Sequence, residues 1–437
     1  MKKLTLFIVL AFIIQVTASS QPCLPGGIYF NTQAEIDNFQ TNYPNCTEIG
    51  GNVTINGGNI TNLSGLNVLT AFGGDLDIMQ SYDLTSLSGL GNVTSIGGSL
   101  WVAGTDALTS LTGLDNLTSI GGSLSIVDNA ALISLTGLEN ITYIEGSLVI
   151  GLYMFGRNYS LASLTGLDGV TFIGGDLEIN FTGSLTNLTG LDNLISIGGD
   201  LWICKNVVMT SLTGLENLTS IGGDLKIGLV TYPYGGNQSL TSLAGLDNVV
   251  SIGGEFEIYN NDALIDFSGL NNLTSIGGHL TIEDNENLNS LTGLDNIDPI
   301  SIGNLDITYN PSLSTCEVQS ICDYIADPMG IITINNNAVG CTNLNQVQQA
   351  CEAIWVPEIN FEPAISIYPN PAEKELSISG RNGAIIKEVN IYNQTGQRVL
   401  HENRLTGAID ISMLRQGMYI IEVVTNESKI KEKLIIK

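Results

Sequence analysis

Between residues 49 and 308 the hydrophobic positions recur in one pattern. In the stretch 108–126, LTSLTGLDNLTSIGGSLSI, apolar residues stand at Leu108, Leu111, Leu114, Leu117, Ile120, Leu124 and Ile126. An amphipathic helix needs an unbroken run of roughly ten residues or more, and Gly and Asn interrupt every such run here. Thr, Ser, Ile and Val fill the intervals, which favours short strands. In the L-x-I step Leu124 and Ile126 point one way and Ser125 the other. The pattern predicts an all-β coil of three short sides per turn, with Gly at corners that need positive φ.

The repeat is regular. The Gly of its S/T/A-G-L step falls at 65, 89, 113, 137, 166, 190, 214, 245, 269 and 293, a period of 24 broken by insertions of five and seven residues. The companion I-G-G step marks eleven turns, from Ile49 to Ile302. One such turn cannot bury its own apolar face, so turns must stack and both ends must be covered. Eleven turns at ~4.8 Å per strand give a rod on the order of 50 Å.

Charge sharpens the domain picture. Only 13% of residues are charged, and the net charge is −28. Residues 22–360 hold 34 acids against three bases, Arg157, Lys205 and Lys226, whereas residues 361–437 hold ten bases against nine acids. An acidic body is followed by a compositionally separate tail. That balance excludes nucleic acid as a partner, because phosphate contacts need clustered Lys and Arg. It also disfavours a polybasic membrane patch. Two distant histidines, His279 and His401, leave little for imidazole catalysis or zinc.

Residues 1–20 read as a secretory signal peptide: Lys2 and Lys3, an apolar run over 4–16, then Ala18-Ser19-Ser20 before Gln21. The run is shorter than the ~20 residues a membrane span needs. In an exported chain the cysteines read as disulfide candidates. Cys23 and Cys46 flank the first segment, 21–48, expected to be an N-terminal cap. Cys316, Cys322, Cys341 and Cys351 allow three pairings, with 316–341 and 322–351 favoured, and staple a C-terminal cap over 311–358. There Ser314-Thr315-Cys316-Glu317 reads as a capping box opening a helix to about Ala326. Ile331–334 is strand-like, and Asn343 or Asn345 caps a second helix to about Ile354. Cys204 is left as a free thiol.

With its S-L-T-G-L, N-L-T-S-I and I-G-G-D/S-L-x-I steps, the block 49–310 resembles the receptor L-domain family of leucine-rich-repeat-like right-handed β-solenoids found in receptor ectodomains and bacterial surface proteins. The alternative fold is a helix-bearing leucine-rich repeat. After a Pro/Glu-containing joint over 356–363, the tail 359–437 alternates strands at 365–368, 376–378, 389–392, 418–424 and 434–436, a small antiparallel β-sandwich. This tail resembles the C-terminal sorting domain of the type IX secretion system of one group of Gram-negative bacteria. The carriers are Tyr368-Pro369-Asn370-Pro371, the run 389–399 with Gly396, the run 409–419 with Gly417 and Tyr419, and the closing KEKLIIK with Lys431, Lys433 and Lys437. The resemblance implies export, with the secretion machinery and its sorting protease as partners. Membrane association would come only through attachment to outer-membrane lipopolysaccharide.

Three features are candidates for function. The two insertions, GLYMFGRNYS (151–160) and GLVTYPYGGNQS (228–239), leave the repeat at the same step and carry Tyr153, Phe155, Tyr159, Tyr232 and Tyr234. Loops on solenoids often carry binding. The outward x of L-x-I forms a column, Thr54, Asp77, Trp101, Ser125, Val149, Glu178, Trp202, Lys226, Glu257, Thr281 and Asp306, with two of the three tryptophans in it. Acids recur in two more columns: Asp115, Glu139, Asp168, Asp192, Glu216, Asp247 and Asp295; and Asp75, Asp176, Asp200, Asp224 and Glu255. Their plain reading is a solubilising surface. Calcium on Asp176, Asp200 and Asp224 is the only metal expectation, and no calcium-loop motif accompanies it. Asn116, Asn140, Asn193, Asn217, Asn248, Asn272 and Asn296 read as a ladder satisfying turn backbone. G-x-S-x-G, P-loop and H-E-x-x-H motifs are absent. The sequence therefore points to a secreted or surface-attached, non-enzymatic binding or adhesion protein that recognises glycan or protein through an aromatic face. A structural surface-layer component and, more remotely, a hydrolase are the alternatives.

Overall fold

The computed structural model describes residues 22–151, 157–229, 235–354, 365–380, 385–403, 407–426 and 429–437. The expected signal peptide and the joint 356–363 lie outside them. The chain divides into two compact units, Met1–Trp355 and Val356–Lys437.

The first unit is a β-solenoid. Its long face is a 13-stranded sheet running from Ile28–Phe30 through Val53–Asn56, Leu76–Met79, Leu100–Ala103 and their successors to Ile332–Asn335. Every pair is parallel and in register, so that Leu100 faces Leu124, Leu124 faces Leu148 and Leu148 faces Leu177. All seven apolar residues of the turn 108–126 are fully buried. The third side of the repeats is made of turns, with 3-10 helices at Ser64–Leu66, Ser88–Leu90 and Ser268–Leu270, and among the described residues 49–308 holds no α-helix. The helix-bearing alternative is thereby excluded.

The solenoid has about twelve turns, one more than the sequence period indicates. The reason lies in the caps. Ile28–Phe30 and Ile332–Asn335 each extend the long sheet although neither belongs to a recognisable repeat. The N-terminal segment also folds helices at Gln33–Asp37 and Phe39–Asn42. A capping box opens the first, with Thr32 accepting from the Glu35 N–H and Glu35 from the Thr32 N–H. The capping box expected at Ser314–Glu317 does not form. Thr315 instead bridges Ser290 and accepts from the Leu291 N–H, so this stretch stays in the solenoid and the helix starts later, at Gln319–Ala326. The second helix, Leu344–Ile354, starts after Asn343, whose side chain accepts from the Gln346 N–H. The disulfides are Cys23–Cys46, Cys316–Cys341 and Cys322–Cys351, and Cys204 is free and buried. Burial pushes its thiol pKa up to about 12.

The glycines divide into two kinds. In the T-G-L and A-G-L steps Gly113, Gly137, Gly166, Gly190, Gly214, Gly245 and Gly293 have φ of 107–114°, as expected. The first Gly of I-G-G has no positive φ, and close approach explains it instead. A Cβ on Gly97 would collide with the carbonyl oxygen of Gly73 one turn below, and one on Gly121 with that of Gly97. Glu145 stands at this position in one turn. The short sheet splits there, into four strands ending at Ser119–Ile120 and six beginning at Tyr143–Ile144.

The second unit packs a three-stranded sheet (Ile365–Tyr368, Glu375–Gly380, Ile409–Asp410) and a four-stranded sheet (Arg398–Glu402, Ile386–Tyr392, Gly417–Thr425, Lys429–Ile436) around one core. All pairs are antiparallel. The strands at Arg398–Glu402 and Ile409–Asp410 carry too short an apolar alternation to read from sequence.

Candidate functional site

The acids of the solenoid are backbone acceptors. In each turn where Gly has positive φ, the carboxylate two residues on accepts its N–H: Asp115 from Gly113 at 2.7 Å, Asp192 from Gly190 at 2.7 Å and Glu216 from Gly214 at 2.8 Å. Where Asn67, Gly91 or Asn271 holds the acid's place, the turn becomes 3-10. The second column forms an inter-turn ladder. Asp75 accepts from the Ser99 N–H, Ser99 from Ser123, Ser123 from Ser147, and Ser147 from Asp176. Asp176, Asp200 and Asp224 then accept from Asp200, Asp224 and Glu255. Asp and Ser alternate in one role, which explains the recurrence of acids without a cation. Among the described residues no group of three or more His, Cys, Asp or Glu is arranged to hold a metal ion.

The expected exposed asparagine ladder is present, Asn116 donating to Gly91 O and Asn193 to Asp168 O, both at 2.7 Å. A second, buried ladder was not foreseen. Asn206, Asn237, Asn261, Asn285, Asn310 and Asn337 each accept from the N–H of the residue one turn below and donate to a strand carbonyl. Most of its members directly follow a residue with positive φ, as Asn206 follows Lys205, Asn261 follows Asn260, Asn285 follows Asp284 and Asn310 follows Tyr309.

The outward column falls in register as expected, and the caps lengthen it with Tyr29 and Thr333. Trp101 is 40% exposed and Trp202 half-buried. They stand four strands apart, roughly 19 Å by strand spacing, so the structure does not bring the two indoles together. Trp202 lines a cleft of about 400 Å³ with Asp176, Glu178, Asp200, Lys226, Glu257 and Tyr259. Here Lys226 Nζ lies 2.7 Å from Asp224 and 3.6 Å from Glu257. Burial works against its charge, but Asp224 and Glu257 prevail and raise its pKa. Burial also raises Glu178, helped by Asp176 and Asp200.

Both insertions leave from the end of a long-sheet strand, at Gly151 and Gly228, and return to the buried ladder at Asn158 and Asn237. Tyr153, Phe155, Tyr232 and Tyr234 lie outside the described residues. Tyr159 is described and 53% exposed. Between the returning segments opens a second cleft of about 330 Å³, lined by Arg157, Tyr159, Phe181–183, Lys205, Val207, Gly236 and Gln238. The Arg157 guanidinium lies 5.7 Å from the Tyr159 ring and 5.9 Å from that of Phe181, and Lys205 Nζ lies 5.0 Å from Phe181. The sequence reading missed Arg157, Phe181 and Lys205 as site residues. The signal for Lys205 is a cation in the positive-φ column that elsewhere holds Gln80, Gly104, Asp128, Phe181, Asn260, Asp284, Tyr309 and Asn336.

In the second unit, the residues expected to carry the sorting signal converge from opposite ends. Asn370 Nδ2 donates to Lys433 O at 2.7 Å, and its Oδ1 accepts from the Ile435 N–H at 2.9 Å. Lys437 N–H donates to Ala372 O. The segment Tyr368-Pro369-Asn370-Pro371 is thus laced to the last strand. Tyr419 OH donates to Arg415 O at 2.8 Å, and Lys431 pairs with Glu422 at 3.4 Å. Gly396 closes the turn with Asn393, and Gly417 opens its strand.

Two family models match. Receptor L domain covers residues 45–141 and 219–327, and secretion system C-terminal sorting domain covers 366–437. No curated protein matches the chain. Neither family is one of enzymes. The sorting domain indicates type IX export to the cell surface or extracellular space. Among the described residues no helix is long and apolar enough to cross a membrane. Repeats, register and matches together give a β-solenoid that matches the receptor L domain over two segments, followed by a region that matches the type IX sorting domain.

Proposed function

We propose that this protein is a non-enzymatic recognition module, displayed or released outside the cell, that binds glycan or extracellular protein through the aromatic side of its solenoid. In this reading residues 1–20 are removed as a signal peptide, 21–48 and 311–358 cap the repeats 49–310, and 359–437 addresses the chain to the type IX machinery. The sorting protease then removes the tail, and the body is released or joined to lipopolysaccharide. The observation that carries the reading is the pair of clefts beside the insertions, which gather Trp202, Tyr159 and Phe181. Exposed rings favour stacking on sugar faces or anchoring of a peptide.

The test is a glycan and matrix-protein array probed with the purified protein, in calcium and in chelator. Discrete hits lost on Trp202→Ala with Tyr159→Ala support recognition. A blank array in both buffers favours a structural surface role, and loss of hits in chelator alone would assign a metal to the acidic columns.

A further inference from the structure

The cleft between the insertions differs from every other surface of the solenoid in charge. Residues 22–360 carry 34 acids and three bases, yet two of those bases, Arg157 and Lys205, line this one cleft, and among the described residues no acid does. The insertions 151–160 and 228–239 contain no Asp or Glu either. Both cations lie within 6 Å of the same ring, that of Phe181, so their charges are no more than about 11 Å apart. Two like charges in one cleft repel. Position 205 holds Gln, Gly, Asp, Phe, Asn or Tyr in other turns, and Arg157 lies in an insertion. The rings of Tyr159 and Phe181 flank Arg157 and offer apolar faces beside the cations. The neighbouring cleft around Trp202 has the opposite character, with Asp176, Glu178, Asp200 and Glu257 against Lys226 alone.

We infer that the Arg157–Lys205 cleft is an anion-recognising subsite, and that the glycan this protein takes is an acidic one. This rests on the glycan-binding reading above and deepens it. A guanidinium and an ammonium would engage the carboxylate of a uronic acid or the sulfate of a sulfated sugar, while Tyr159 and Phe181 pack against the ring that bears it. The surrounding acidic surface repels polyanions that do not seat in the cleft, which makes the contact selective.

The experiment is affinity electrophoresis and calorimetry of the full-length protein with four polymers: polygalacturonate, alginate, dextran sulfate and neutral dextran. The expected result is binding to acidic polymers that falls at least tenfold between 50 and 300 mM NaCl and at least tenfold in Arg157→Gln with Lys205→Gln. The charge-conserving pair Arg157→Lys with Lys205→Arg should keep most of it. Uronate-only or sulfate-only binding names the source of the anion. Thermal melts of each variant separate loss of binding from loss of fold. Neutral dextran bound as tightly as the acidic polymers, or acidic binding untouched by the Gln pair, overturns the anion subsite while leaving glycan recognition standing. Absence of binding to all four overturns the subsite. A blank glycan array as well would then defeat the broader glycan reading.

Discussion

The buried asparagine ladder should carry a large share of the solenoid's cohesion, and Asn206 tests this. Its Oδ1 accepts from the Thr182 N–H at 3.1 Å and from Thr182 Oγ1 at 2.7 Å, and its Nδ2 donates to Ile179 O at 2.7 Å. Both Asn206 and Thr182 are fully buried. Asn206→Leu keeps the volume roughly constant, so the cavity term is small. It strips the Thr182 N–H and hydroxyl of their acceptor where water cannot replace it. Each buried group left unsatisfied costs about 1–3 kcal/mol. Allowing ~1 kcal/mol back for the added apolar burial, the expected loss is about 3 kcal/mol. Asn193→Ala removes a chemically similar donor from the exposed ladder, where solvent substitutes, and should cost about 0.5–1 kcal/mol. The assay is urea unfolding followed by circular dichroism, comparing midpoints at unchanged slope, since a long repeat array need not unfold in one step. If Asn206→Leu costs no more than Asn193→Ala, the ladder is a consequence of the fold and not a support of it.

Three further outcomes follow from the same geometry. Gly121→Glu should destabilise by at least 2 kcal/mol, because its Cβ meets the Gly97 carbonyl, whereas Glu145→Gly should be tolerated and protect the amides of 143–146 from hydrogen exchange. Melting temperature should rise as pH falls from 7 toward 5. Burial raises Asp77, Glu178, Glu283 and Asp306 above their ordinary values, so the folded state binds protons first and gains stability as they are taken up. The contrary contribution of Asp224, which burial raises but Lys226 and the Glu255 N–H bring to a net lowering, is lost only as pH falls through its depressed value; Glu178→Gln should flatten the rise, and a melting temperature that falls over this window would refute the argument. Cys204 should resist a thiol reagent at pH 8 in the folded protein and react fully in urea, as its burial and raised pKa require; fast labelling of the native protein would contradict both.

Much of this molecule is legible in sequence because the repeat multiplies each signal. One turn's seven apolar positions are weak evidence, but the same positions recurring every 24 residues define both the buried side and the outward column. Where a signal occurs once, reading fails. The capping box at Ser314–Glu317 has the right residue types, but pairing of Thr315 with the last repeat holds those residues in the solenoid. The strands Ile28–Phe30 and Ile332–Asn335 were set apart as caps because they lie outside the repeat, although inter-turn hydrogen bonds need only backbone. Arg157, Phe181 and Lys205 went unnoticed for a related reason. They come from an insertion and two successive corners, and only the stacking of turns brings them to one cleft.

The ladders also change what the charge of this protein means. A surface with 34 acids to three bases invites an account in terms of solubility or calcium. Yet Asp115, Asp192 and Glu216 each hold a glycine turn, and Asp176, Asp200 and Asp224 each receive the N–H of the next turn, a task Ser99 and Ser123 perform equally well elsewhere. An anionic acceptor forms the stronger hydrogen bond to a backbone N–H, which gives Asp an advantage over Ser that is independent of any ligand. The acidity of these two columns is then a by-product of closing the turns. Lys226 sits on the outward column and is met by Asp224 and Glu257, while Arg157 and Lys205 line a cleft whose described residues include no acid. With the two acid columns assigned to the backbone, two of the three bases lie where the insertions open the repeat, beside the rings of Tyr159 and Phe181.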